Sequence, residues 1–302
     1  MTYLVNSLGH VQVNVTDMDA VTREATGILG LHVTRSDARQ AWLASNGRSA
    51  ELVLHRAEAN AVRSVGFEAV SVKAVEEAAA RVPQAGCKVL SEKPSLDCCA
   101  AGVVFATPQG HTFEVHTPIP DRIYDRRHFG AGINPLRMDH VNITSPEPAE
   151  TQRHVEQIMG LRLSEKLVDD GLIWMRGANR QHHIMGIVRG AAGLHHYSFE
   201  LEDFGDYRRL GDLLDQHDKQ LAWGPGRHRP GDNLYAYYVD AAGVMVECSS
   251  GMALIADDDN YQPNIITKIK RPENVRVMNV WGTPAPPPWL AHHFPYAPVA
   301  KS

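Results

Sequence analysis

An α+β fold in two tandem domains is what this sequence predicts. Three observations predict it: stretches of period-two alternation separated by short amphipathic helical runs, a strand and helix order that recurs after about 130 residues, and a C-terminal hairpin rich in polar and aromatic residues.

The order begins with LGHVQVNVTD (8–17), which alternates as a half-buried strand does. DMDAVTREATGILGLHV then reads as a helix from Asp19 that stops near Gly30, with a strand from Leu31. RMDHVNITSP (137–146) followed by EPAETQRHVEQIMGLRL repeats that order, and the spacing repeats too: Gly30 lies 20 residues after His10, and Gly160 lies 20 after His140. Next, GFEAVSVKAVEEAAARV (66–82) parallels HHYSFELEDFGDYRRL (195–210), each a strand running into a helix. Counting places Phe67 opposite His196, at intervals of 57 residues from His10 and 56 from His140. ATPQGHTFEVHT (106–117) closes the first copy as VDAAGVMVECSS (239–250) closes the second, with Glu114 four residues after Gly110 and Glu247 four after Gly243.

The duplication puts a boundary at residues 130–136, in the Gly-rich GAGINP, and divides the chain into domains 1–132 and 133–260 with a tail 261–302. Within each copy, helices are expected to cover one face of curved, mostly antiparallel sheets and leave the other face to enclose a cavity. Helix 206–218 fits this plan, because Leu210, Leu213 and Leu214 form its apolar stripe. The tail holds KIKRPENVRV and then GTPAPPPWLAHHFPYAPV, where prolines 284, 286, 287 and 288 predict an extended segment without regular helix. Trp289, Phe294 and Tyr296 would pack it along the body or a neighbouring subunit, with His292 and His293 on the surface.

Composition excludes several partners. With 302 residues, a net charge of -5 and no long basic cluster, nucleic acid is not expected. No run approaches the ~20 apolar residues of a membrane helix, and MTYLVNSLGH has no signal-peptide pattern, so a cytoplasmic protein is expected with no membrane partner. The four cysteines lack metal-type spacing and read as reduced thiols.

The stretch Gly224 to Gly251 reads as loop, strand, turn, strand, bringing His228, Tyr237 and Glu247 towards one place. The repeat sharpens this, since His140, His196 and Glu247 stand where the first copy has His10, Phe67 and Glu114. Two histidines and a carboxylate on adjacent strands form a facial triad suited to Fe(II), less often Mn(II), with three open positions. Phenylalanine cannot ligate, so the first copy is expected to be metal-free. Asn142, two residues from His140, shares its strand face and is expected to line the pocket; His195 is expected on the face opposite His196 with a structural role.

MDHVNI, LHHYSFE, GRHRPGDNLYAYYVD and GVMVECSSG together resemble the type I extradiol catechol dioxygenases of the vicinal oxygen chelate superfamily, over most of residues 1–260. The resemblance implies paired βαβββ modules curled into an incomplete barrel in each domain, with iron in the second. It implies that His228 and Tyr237 border the substrate oxygens and that His183 is the acid-base group, with His182 as a contender. It further implies a homo-oligomer that inserts both atoms of O2 into a catechol beside the diol, giving a 2-hydroxymuconic semialdehyde type product. The alternatives are a metal-dependent glyoxalase or 4-hydroxyphenylpyruvate dioxygenase relative, and a non-catalytic aromatic-binding protein of the same fold.

Overall fold

A computed structural model of the chain describes residues 2–45, 47–120, 131–267 and 278–298. KIKRPENVRV, at 268–277, lies outside the described residues, as does residue 130 of the expected boundary.

The first half folds as β1 (Val5–Val15), α1 (Met18–Glu24), β2 (His32–Ser36), β3 (Gln40–Ala44), β4 (Leu52–Arg56), β5 (Ala61–Ala69), α2 (Val72–Gln84), β6 (Lys88–Ser91), β7 (Gly102–Ala106) and β8 (Thr112–His116). The second half repeats it with β9 (Arg137–Ser145), α3 (Pro148–Met159), β10 (Arg162–Leu167), β11 (Leu172–Arg176), β12 (Met185–Arg189), β13 (Gly193–Glu200), α4 (Gly205–Gln216), β14 (Trp223–His228), β15 (Leu234–Val239) and β16 (Met245–Ser250). Each half is two βαβββ modules. The sheets have the same order, β2-β3-β4-β1-β5-β8-β7-β6 and β10-β11-β12-β9-β13-β16-β15-β14. This is the expected α+β architecture of two tandem domains.

The glycines that revealed the repeat have one physical role. Gly30 (φ +78°) and Gly160 (φ +68°) cap the first helix of each half in the left-handed region, which a residue without Cβ enters at least cost. Before Gly30 the chain continues past α1 as a π-helical turn, Ala25–Leu29. In α4, Leu210, Leu213 and Leu214 are buried as their spacing predicts, and each is worth about 1.5–3 kcal/mol of apolar burial.

The ladders correct the pairing of Phe67 with His196. Asn142 faces His196 across β9 and β13, and Gln12 faces Ser64 across β1 and β5. Glu247 faces Ser198 on the parallel strand, and Glu114 faces Gly66. Both ladders therefore make Ser64 the counterpart of His196, while Phe67 is a buried core residue beside Phe113. Counting failed because the intervening loops differ in length: Val11 faces Leu52, whereas Val141 faces Met185, three residues further along. In the first half Gln12 Nε2 lies 3.0 Å from His10 Nε2, and the Ser95 amide donates to Glu114 at 2.9 Å, so both residues are engaged by their own neighbours.

The tail departs from expectation at two points. The prolines begin a one-turn helix, Pro287–Leu290, instead of preventing one, because proline is tolerated where the first N–H groups have no intrahelical partner. Around it β17 (Asn264–Ile266), β18 (Asn279–Trp281) and β19 (Phe294–Pro295) join the edges of the second sheet and β13. Trp289, Phe294 and Tyr296 are buried along the body, and His292 is half-buried beside His195, not a surface residue. No helix among the described residues is long and apolar enough to cross a membrane.

Candidate metal centre

Consecutive strands of the second sheet each deliver one polar side chain to its concave face. In the order β9, β13, β16, β15, β14 these are His140, His196, Glu247, Tyr237 and His228, and His183 lies just before β12 at the other end of the arc. All six are buried and, His196 excepted, line a cavity of about 240 Å³ together with Asn142.

His140 Nε2 stands 2.9 Å and His196 Nε2 3.1 Å from Glu247 Oε2. Donors about 2.1 Å from a divalent ion and at right angles to one another stand about 3 Å apart, as each histidine does from Glu247, and all three atoms lie within 4.8 Å of one another, so they can share one ion. Among the described residues this is the one group of three His, Cys, Asp or Glu side chains with metal-binding spacing.

Hydrogen bonds set the ring tautomers to suit. Asp139 Oδ2 accepts from His140 Nδ1 at 3.0 Å and is itself fixed by Gln181 and by Ser249 Oγ at 2.9 Å, which turns Nε2 of His140 to the centre. His195 Nε2 donates to the Trp289 carbonyl at 2.8 Å, so its Nδ1 accepts from His196 Nδ1 at 2.7 Å and leaves His196 Nε2 for a ligand. His195 therefore does not face away: a bulge between Leu194 and His196 turns it to the cavity wall.

The charges agree. Burial opposes protonation of His140, yet the Glu247 and Asp139 carboxylates hold its imidazole up at about 10. Burial likewise opposes ionisation of Glu247, and the two facing imidazoles hold its carboxyl well below the usual carboxylate value. A buried carboxylate kept ionised between two imidazoles is a donor set for a dication.

The other predicted residues take definite places. Tyr237 Oη donates to His228 Nε2 at 2.9 Å, while His228 Nδ1 donates to Asn279 Oδ1 at 3.2 Å. Burial lowers His228 to about 4, and burial with the Glu247 charge raises Tyr237 well above its ordinary value, so both are neutral. Tyr237 is held by an apolar cluster of Trp223, Tyr235, Met245 and Trp289. Asn142 places Nδ2 3.1 Å from His196 Nε2, and its Oδ1 is buried without a partner. That side chain needs Gly186 opposite, where a Cβ would come within 1.2 Å of Asn142 Oδ1.

The histidine doublet divides. His183 lines the cavity with its ring centre 4.5 Å from that of His140, whereas His182 turns to Glu165, Nε2 to Oε2 3.3 Å. The Glu165 carboxylate fixes a proton on His182 Nε2, so His182 Nδ1 accepts from His183 Nδ1 at 3.1 Å and leaves His183 Nε2 with its lone pair. Burial, with the positive charge of His140 nearby, holds His183 well below its ordinary value.

The sequence reading missed Asp139, Glu165, Asn279 and Trp289. Asp139 precedes His140 by one position, so period-two alternation would place it on the opposite face although it bonds to His140, and Glu165 lies within β10 with no motif around it.

Comparisons with known proteins give the chain's relatives. Residues 7–115 match the Glyoxalase/Bleomycin resistance protein/Dioxygenase superfamily. A metapyrocatechase of Pseudomonas sp. (strain CF600) is 26% identical over 277 residues, covering 84% of this chain and 87% of its own. The chain is similar to this superfamily over its first domain and, over most of its length, to an extradiol dioxygenase. Of solved structures, homoprotocatechuate 2,3-dioxygenase from B. fuscum superposes with a TM-score of 0.87 at 21% identity, covering 99% of this chain and 84% of that one, a likeness of fold. A Mn(II)-bound glyoxalase from Novosphingobium aromaticivorans superposes with a TM-score of 0.83 at 27% identity, covering 97% and 96%.

Proposed function

We propose that this extradiol dioxygenase opens a catechol-type ring beside its diol with O2, both oxygen atoms entering a 2-hydroxymuconic semialdehyde type product. The observation that carries the reading is the arc of six side chains: two imidazole nitrogens each about 3 Å from one carboxylate oxygen, flanked by three neutral groups that can hold or move protons.

In this reading His140, His196 and Glu247 hold Fe(II), through two Nε2 atoms and one carboxylate oxygen; Mn(II) suits the same donors. Bound there, a redox-active ion would supply the electronic coupling that singlet diol and triplet O2 lack. His183 Nε2, unprotonated, takes a proton from the entering diol and returns it as the ring opens. Tyr237 and His228 turn their shared hydrogen bond towards the substrate oxygens, and Asn142 Oδ1 accepts from a diol hydroxyl. Aromatic and aliphatic walls exclude water, which strengthens each of these contacts.

The test is anaerobic loading with Fe(II) or Mn(II), followed by O2 uptake with catechol. Uptake of one O2 per catechol with a yellow product is expected; tight metal binding without O2 uptake by any diol would overturn the reading. The Mn(II)-bound glyoxalase neighbour favours a second reading, an isomerisation without O2 uptake, which the same experiment separates.

Asp139→Asn tests the tautomer argument. The amide can no longer fix the His140 proton as a carboxylate does, and metal affinity measured by calorimetry should fall about 10- to 100-fold. An unchanged affinity would remove Asp139 from the site.

We further place the boundary at 132/133, residues 133–260 forming the catalytic unit, and infer a homo-oligomer in the cytoplasm. The four free cysteines support a reducing compartment.

A further inference from the structure

The cavity has two chemically different ends. Its floor holds the ionisable groups, with Glu247 as the one carboxylate among the described lining residues. Its far wall is uncharged: Leu167, Leu172, Trp174 and Val188 come from β10, β11 and β12, and Leu290 joins them from the C-terminal segment, while Trp289 stands beside His195 and Tyr237 at the floor. No lysine or arginine lines the cavity among the described residues.

The diol end of a substrate is fixed at the floor by the donor atoms, so a ring substituent must lie along that far wall. A cavity of roughly 150 Å³ accommodates benzene. Against the 240 Å³ present here, about 90 Å³ then remains for a substituent. A carboxylate there would lose its hydration against leucine, valine and tryptophan without gaining a cation among the described lining residues. An alkyl group or halogen would gain from the same contact, at about 0.8 kcal/mol per buried CH2.

We propose that the substrates of this enzyme are catechols bearing an uncharged, apolar ring substituent, and that carboxylated catechols are excluded by the far wall. This rests on the ring-cleavage reading above and goes beyond it in naming the class of diol. It separates this chain from enzymes whose diol carries a side-chain acid.

The test compares 4-isobutylcatechol with 3,4-dihydroxyphenylacetate on the metal-loaded enzyme, with unsubstituted catechol as control. The two substituents match in shape, and a methylene insulates each ring from the group that differs. The specificity constant should favour the alkyl diol by roughly 100-fold, mostly in KM. Leu290, 59% exposed at the edge of the wall, can change without disturbing the core, and Leu290→Arg should narrow the ratio at least tenfold by adding a cation. Equal or better use of the phenylacetate by the unaltered enzyme overturns the proposal and leaves ring cleavage standing. Failure of all three diols to drive O2 uptake overturns both.

Discussion

Glu247→Gln should abolish turnover, lowering kcat/KM by at least about 10³-fold, and should release the metal. The substitution preserves shape and removes the one anion among the three donors, so two neutral imidazoles and an amide would face a dication. It also removes the partner that holds the His140 imidazole at about 10. Breaking a buried ion pair from one side costs about 3–5 kcal/mol, an upper bound here because His140 can lose its proton instead. The metal content of purified Glu247→Gln, by elemental analysis, and its melting curve separate the outcomes. Retained metal with near-normal O2 uptake would show that Glu247 is not a ligand.

The second large effect is expected at the histidine doublet. His183→Phe should lower kcat by about 10²- to 10⁴-fold with metal affinity little changed, since its ring borders His140 but its Nε2 is not among the donors. His182→Gln should lower kcat less than tenfold, because a glutamine amide can still donate to Glu165, which Asn264 also contacts. A collapse in the second variant with the first unaffected would move the acid-base role by one residue. The geometry already favours His183: it faces the cavity, and its neighbour faces a carboxylate.

Much of this arrangement was legible in the chain. The alternation at His140 and Asn142, the four-residue step from Gly243 to Glu247 and the glycine caps at Gly30 and Gly160 all express periods that the backbone itself imposes. The strand and helix order of each half followed from the same periods, and so did the placement of Leu210, Leu213 and Leu214. What failed did so where lengths had to be counted across loops. The partner of His196 is Ser64 and not Phe67 because loops absorb residues without altering the ladder. His195 was assigned to the wrong face because one bulged residue breaks the period of two.

By itself, then, the sequence determined the duplicated α+β plan and picked out His140, His196 and Glu247, the three side chains that the fold brings together, since residue type and local periodicity are written along the chain. Tertiary structure alone decided which proton each histidine carries. Asp139 sets the tautomer of His140, Trp289 that of His196 through His195, and Glu165 that of His183 through His182. Trp289 and Glu165 come from segments remote in sequence from the rings they control. A hydrogen bond depends on distance in space, and no spacing along the chain encodes it.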